Sequence, residues 1–286
     1  MRLLIFGYGF SGRQFARRLA SKGWTVAATC RSADGRARIE ADAFEAINLD
    51  DPVELAGALQ TARALLITPP PATDGCPGLA ALKPELSKTR SALKWIGYLS
   101  TTGVYGDRKG RWVSEQSPLA PVSPEGARRV DAERQWLELA DELDLTVTVF
   151  RLPGIYGPGR SAFDRLRDGR ARRITAPGQV FSRIHVVDLA AGLEASISNP
   201  RAGGIYNLCD DEPAPNSDVI AYAAGLLGIE PPPAVRLQDA DLSPVALRFY
   251  LESKRVSNAL AKAELGWRPA FPTYREGLAS ILTSGG

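Results

Sequence analysis

The sequence predicts an α/β fold, a doubly wound parallel sheet with a smaller C-terminal lobe, on three observations. Short apolar runs alternate with helical segments through the first half of the 286-residue chain. A glycine-rich turn joins the first such run to the first helix, and after Arg151 the alternation loosens into Pro- and Gly-rich chain. Strands separated by helices in this way form right-handed βαβ units, so neighbouring strands run parallel.

Each element has its own signal. Residues 2–6, Arg-Leu-Leu-Ile-Phe, are an apolar run closed by glycine and predict a buried parallel strand. Residues 12–22 then place Phe15, Ala16, Leu19 and Ala20 at helical spacing, with Gly23 at the C-terminal cap. Residues 24–29, 44–49 and 64–68 predict the second, third and fourth strands, the last running into Pro69-Pro70-Pro71. Asp51-Pro52 opens a helix through Leu59, proline sitting where its missing N–H is harmless. A helix from about Leu79 to Leu93 leads to the strand 96–100, and a helix from Pro124 to Leu143 leads to the strand 146–150. Residues 1–155 are therefore expected to form a dinucleotide-binding unit of Rossmann type, joined by 180–200, where a strand and helix near Ile184–Ser196 return to the main sheet. Residues 156–286 are expected to form the smaller lobe, with helices at 216–227 and 257–265.

Composition narrows the function classes. A 44% hydrophobic, 23% charged chain has a globular balance, and a net charge of +3 with scattered arginines gives no reason to expect nucleic acid or a membrane as partner. Cys30, Cys76 and Cys209 are far apart and there is a single histidine, so neither a metal centre nor a disulfide framework is expected. No run approaches the length of a membrane span or signal core, and a cytoplasmic protein is the expectation.

The glycine turn reads Gly7-Tyr8-Gly9-Phe10-Ser11-Gly12. In a G-x-G-x-x-G between strand and helix, the first glycine permits the tight turn and the second lets backbone approach a pyrophosphate. The third lets helix pack on strand, while the helix N-terminus offers free N–H groups to the anion. The end of the second strand selects the dinucleotide: a carboxylate there would bond the ribose hydroxyl of NAD, but Cys30 is followed by Arg31 and Ser32. Arg31, with Ser32 beside it, can pair with the extra phosphate of NADP, so NADP rather than NAD is the expected cofactor, the alternative being that Arg31 only lies over the adenine face. Asp50 is placed to meet the adenine edge or to cap the following helix.

Four further segments resemble the extended short-chain dehydrogenases/reductases, the group that includes nucleotide-sugar epimerases and dehydratases. They are Ser100-Thr101-Thr102-Gly103-Val104-Tyr105-Gly106-Asp107, residues 151–159 (Arg-Leu-Pro-Gly-Ile-Tyr-Gly-Pro-Gly), residues 183–190 (Arg-Ile-His-Val-Val-Asp-Leu-Ala) and Leu265-Gly266-Trp267-Arg268-Pro269 with Glu276-Gly277-Leu278. The resemblance implies that Thr101 bonds the substrate oxygen and that Pro153, Gly154 and Ile155 line the nicotinamide amide. It also implies that Thr68, Pro69 and Pro70 pass beneath the cofactor, that Ser100 lies beside it, and that His185 is structural. A homodimer formed through a helix bundle is the assembly the group implies.

One signature departs from that group, whose acid/base is a tyrosine followed four places later by lysine on the long helix. Aligned on Gly126 and Ala132-Glu133, this chain has Glu125 and Arg129 there. Arginine can hold ribose hydroxyls but does not tune a proton carrier as lysine does, and a carboxylate titrates about six units below tyrosine. The pattern resembles an atypical subgroup of NAD(P)-dependent epimerases in which an acid replaces the usual active-site asparagine, and Asp74 is the candidate. The expected function is an NADP(H)-dependent reductase or epimerase of a small, anionic or nucleotide-sugar-like substrate. The catalytic candidates are Thr101, Glu125, Arg129 and Asp74; the alternative is a non-catalytic NADP(H)-binding sensor or scaffold.

Overall fold

The computed structural model describes residues 1–88, 92–243 and 247–283. In chain order the first half carries β1 (Arg2–Phe6), α1 (Phe10–Ala20), β2 (Thr25–Cys30), α2 (Ala33–Ala41), β3 (Glu45–Asn48), α3 (Pro52–Thr61), β4 (Ala64–Ile67), α4 (Pro77–Lys88), β5 (Trp95–Thr101), β6 (Trp112–Val113), α5 (Pro124–Leu143) and β7 (Val147–Leu152). The second half adds β8 (Gly154–Tyr156), α6 (Ala162–Arg167), β9 (Arg173–Thr175), β10 (Arg183–His185), α7 (Val186–Ser198), β11 (Gly204–Asn207), α8 (Asn216–Leu226), β12 (Ala234–Arg236) and β13 (Arg255–Val256), then helices Ala259–Glu264 and Tyr274–Thr283.

Seven strands form one parallel sheet in the order β11-β7-β5-β4-β1-β2-β3. The strand order reverses between β1 and β4, and at such a switch point the loops at the carboxyl ends part to leave a crevice. Both faces are buried, so the strands read as unbroken apolar runs rather than as alternations. Leu3 and Ile5 pack on the side of α1 and α7, with Phe15, Leu19, Leu189 and Leu193. Leu4 and Phe6 face the other side, with Leu55, Leu59, Leu82 and Trp136 of α3, α4 and α5.

The sequence offered no reading of α2, and two expectations are corrected. Helix α2 carries no apolar stripe, since only Ile39 of it is buried; it is held by its Ser32 cap, a signal that periodicity does not register. The strand that rejoins the main sheet is β11, paired with β7, whereas β10 near Ile184 pairs with β8 in a separate two-stranded ribbon. Helix α7 does return, packing across α1. Helix Ala259–Glu264 belongs to the sheet core and not to the lobe: Ala261, Leu265 and Trp267 join Leu189 and Leu193, and the Trp267 indole donates to the Asp188 carbonyl at 3.2 Å. The helix expected from about Leu79 to Leu93 is described over Pro77–Lys88, and its expected continuation through 89–91 lies outside the described residues. The lobe proper has its own core, Phe163, Ile220, Leu278 and Ile281, drawn from α6, α8 and the closing helix.

Candidate cofactor turn and substrate cleft

The glycine turn follows directly from β1. Gly7 has φ +93°, and a Cβ there would stand 2.7 Å from both Pro69 Cγ and Thr68 Oγ1. Those neighbours brace the turn: the Thr68 hydroxyl donates to the Gly7 carbonyl at 2.7 Å, and the Gly7 N–H donates to Thr29 Oγ1 at 3.1 Å. Gly12 must be small because its Cβ would lie 2.8 Å from the Gly7 carbonyl. Gly9 is different. Its φ of −93° suits any residue, and a Cβ added there meets no protein atom within 4 Å. Nothing in the protein demands glycine at that position, which leaves the space to a ligand that must touch backbone. Helix α1 begins at this point with no side-chain cap, while α2, α3 and α5 are capped by Ser32, Asp51 and Ser123. Free N–H groups at an unobstructed helix end fit a pyrophosphate.

Around the turn, several predicted residues hold structure through their side chains. Tyr8 donates its hydroxyl to Asp42 at 2.6 Å, and Arg13 and Arg17 converge on the same carboxylate, each at 2.6 Å. The Arg13 hydrogen bonds hold Asp42 well below the usual carboxylate range, while burial pushes the Tyr8 phenol up. Asp42, 34 residues from Tyr8 in sequence, carries no signal a motif could reveal. Phe10 turns toward the lobe, with the Arg160 guanidinium 5.5 Å above its ring. Arg31 is exposed at the end of β2 and has no ion pair or hydrogen bond among the described residues, whereas the Ser32 hydroxyl accepts the Gly35 N–H at 3.1 Å. Capping of α3 falls to Asp51, which accepts Val53 and Glu54 N–H, and the exposed Asp50 carboxylate is left clear.

At the carboxyl ends of β5 and β7 lies a cleft of about 910 Å³ between the sheet and the lobe, lined by Thr101, Glu125 and Pro153 to Ile155. The Thr101 oxygen accepts the Gly103 N–H at 3.1 Å, which caps the single turn after β5 and leaves the hydroxyl proton free to donate. Glu125 sits at the rim, 3.5 Å from Arg248 and 3.6 Å from Arg128, with 59% of its side chain exposed. Arg129 and Asp74 do not line this cleft. Arg129 donates to the Leu99 carbonyl and lies over the Tyr98 ring, and Asp74 is exposed in the tight turn between Ala72 and Gly75.

Ser100 points away from the cleft into a buried network. Its hydroxyl donates to Glu133 at 2.5 Å; Arg151 reaches Glu133 through Nη2 at 2.8 Å and the Tyr105 hydroxyl through Nη1 at 3.1 Å; and Tyr105 donates to Asn207 at 2.8 Å. This network ties β5, α5, β7 and β11 together directly beneath Thr101. Among the described residues no group of three or more His, Cys, Asp or Glu is placed to hold a metal, and no helix is long and apolar enough to cross a membrane.

The floor of the cleft holds buried charge. Arg183 donates Nη2 to the Ala214 carbonyl at 3.0 Å, and its Nη1 is unpartnered, as are both carboxylate oxygens of Asp210 and the Tyr156 hydroxyl. His185 packs edge-on against the rings of Tyr156 at 5.2 Å and Phe271 at 4.5 Å, and burial pushes it down to about 4, a neutral structural histidine. Burial, with the Arg183 charge only partly offsetting it, pushes Asp210 from 3.8 up to about 8. A carboxyl raised in the folded state contributes stability that is complete below pH 3.8 and is lost as the pH climbs to about 8. Asp210→Asn removes this titration, so its gain in melting temperature over wild type should be small near pH 4 and grow steadily to pH 8. A gain independent of pH across that window would refute the assignment.

The sequence matches the NAD dependent epimerase/dehydratase family over residues 3–209. It is 46% identical to a conserved protein of unknown function from Silicibacter pomeroyi, whose structure superposes with a TM-score of 0.92 and covers 99% of this chain and 98% of that one. It is 28% identical over 283 residues to Protein YeeZ of Escherichia coli, covering 95% of this chain and 96% of that one. The dTDP-glucose 4,6-dehydratase of Bacillus anthracis, solved in complex with NAD, shares the fold at 19% identity, with a TM-score of 0.80 over 99% of this chain and 96% of that one.

Proposed function

The chain belongs to the NAD dependent epimerase/dehydratase family, and from that premise we propose that it is an NADP(H)-dependent oxidoreductase acting on the carbonyl or hydroxyl group of a small anionic compound. The observation that carries this reading is the space at Gly9 beside the uncapped end of α1, with Arg31, unpaired among the described residues, at the end of the neighbouring strand β2. Backbone N–H groups from Gly9 to Gly12 hold the pyrophosphate, Arg31 meets the 2′-phosphate and Asp50 the adenine edge. Thr68 and Pro69 brace the turn from below, and Pro153 to Ile155 flank the nicotinamide amide. Bound nicotinamide dinucleotide supplies or accepts a hydride.

The chain's own residues do the rest. Thr101 donates a hydrogen bond from its free hydroxyl to the substrate oxygen. The cleft presents Arg160, Arg165, Arg170, Arg183, Arg248 and Lys254 against three carboxylates, Glu125, Asp164 and Glu252, a balance that favours an anion. Glu125 acts at the rim by holding Arg248 in place. Residues 1–155 with α7 and β11 form the cofactor half, and the lobe between 156 and 286 covers the substrate.

Titration calorimetry tests the reading. NADPH and NADP should bind at least about tenfold tighter than NADH and NAD, and Arg31→Ala should bring the two pairs to within roughly threefold, since a charge-assisted phosphate contact contributes about 1.5 to 3 kcal/mol. Equal affinity in the wild type removes the NADP preference. No binding of any of the four at millimolar concentration removes the whole reading.

A further inference from the structure

The cleft lacks the tyrosine and lysine that its fold relatives would supply from the long helix, yet it contains one side chain of matching chemistry that arrives from a different part of the chain. Lys254 is 8% exposed, while none of the other six lysines is buried. It lines the same cavity as Thr101 and Pro153 to Ile155 and donates to Glu252, whose carboxylate lies with it in the cleft wall. Two residues on, Val256 packs with Val104 and Tyr105, three and four residues after Thr101. Position 254 is fixed at that end of the cleft because Ser253 is tied to Asp107 and Gly178 and β13 pairs with β6.

A buried lysine paired with one carboxylate is not what stability selects. Taking both charges out of water costs several kcal/mol, and an apolar pair of similar volume does as well or better. Arginine supplies every other cation in the cleft, as suits the gripping of anions, whereas lysine is the cation that can give up a proton.

We propose that Lys254 is the catalytic acid of this cleft, with its Nζ meeting the substrate oxygen beside Thr101. This rests on the carbonyl-reducing reading above. As the carbonyl carbon takes a hydride from reduced nicotinamide dinucleotide, the C=O π pair closes onto oxygen and an O–H bond forms with a proton from Nζ. The N–H bonding pair stays on nitrogen as a neutral amine, and solvent returns the proton. Run backwards, the same amine accepts the proton of a substrate hydroxyl. Glu252 holds the ammonium in position and is a positioning residue.

The test has one arm that needs no turnover. Pyridoxal 5′-phosphate, an aldehyde bearing an anionic group, is incubated with the wild-type protein and reduced with borohydride, and the labelled lysines are mapped by peptide mass spectrometry. Label should concentrate at Lys254 despite its burial and fall when Arg183→Ala weakens the anion grip; label confined to the exposed lysines overturns the proposal. In the second arm Lys254→Arg, which keeps the charge and the Glu252 pair, should bind NADPH within about threefold of wild type. It should turn over any carbonyl carboxylate or phosphate that the wild type reduces at least about 100-fold more slowly, the usual size of a lost general acid. Full turnover by Lys254→Arg overturns the proton role and makes the residue an anchor. Failure of NADPH to bind the wild type would sink the cofactor reading, while the labelling arm still decides where Lys254 stands.

Discussion

Replacing Gly9 with valine is expected to abolish dinucleotide binding and leave the fold intact. A side chain at this position meets no protein atom within 4 Å, and the backbone, at φ −93° and ψ −165°, lies in a region valine favours. The added atoms occupy the space through which a pyrophosphate must pass to reach the free N–H groups of α1. Affinity for NADPH should fall at least about 100-fold, equivalent to about 2.7 kcal/mol, with the melting temperature essentially unchanged. Gly7→Ala makes the contrasting control. Its positive φ and its 2.7 Å approach to Pro69 and Thr68 damage the protein itself, so that variant should melt lower as well as bind worse. If Gly9→Val binds NADPH as wild type does, the turn is not the pyrophosphate site.

Arg151→Met is expected to be the most destabilising single change beneath the cleft. The Arg151–Glu133 pair has 3% and 4% side-chain exposure, and removing the guanidinium leaves Glu133 charged, buried and supported only by Ser100. Breaking such a pair costs about 3 to 5 kcal/mol, a drop of roughly 10 °C for a chain of this size. Because Arg151 also donates to Tyr105, the turn carrying Thr101 should loosen with it, visible as faster amide exchange at Gly103 and Val104. Adding Glu133→Leu should recover much of the loss, since no buried charge then stands alone. A melting temperature for Arg151→Met within 2 or 3 °C of wild type would mean that the network is not holding the sheet to α5.

Legibility from sequence tracked the range of the interaction. The place of the turn from Gly7 to Gly12 could be read because strand, glycines and helix are contiguous, and Arg31 and Thr101 could be placed at the ends of β2 and β5 because each strand is a short apolar run. The contacts of Arg129 were not legible, because its position on α5 says which face it occupies but not that the Leu99 carbonyl lies within reach. The direction of Asp74 was not legible either, because a turn residue has no periodicity to aim it. Ser100 and Thr101 are adjacent, and strand alternation sends them to opposite sides, one to Glu133 and one to the cleft; only the pleat of β5 decides which. Asp42, Asp210 and Lys254 gave no sign at all, since each matters through partners brought together by the lobe or by the packing of α2.

The sequence by itself determined the parallel sheet and the glycine turn between β1 and α1, because apolar runs, glycine positions and helix starts act over a few neighbouring residues. Tertiary structure alone decided which polar side chains face the cleft, because that depends on contacts between residues tens of positions apart, such as Ser100 with Glu133 and Arg129 with Leu99. Such contacts also decided that β11 rather than β10 completes the sheet and that the cleft's one buried lysine comes from residue 254. A buried charge is tolerated only where distant partners meet it, and no local pattern encodes that meeting.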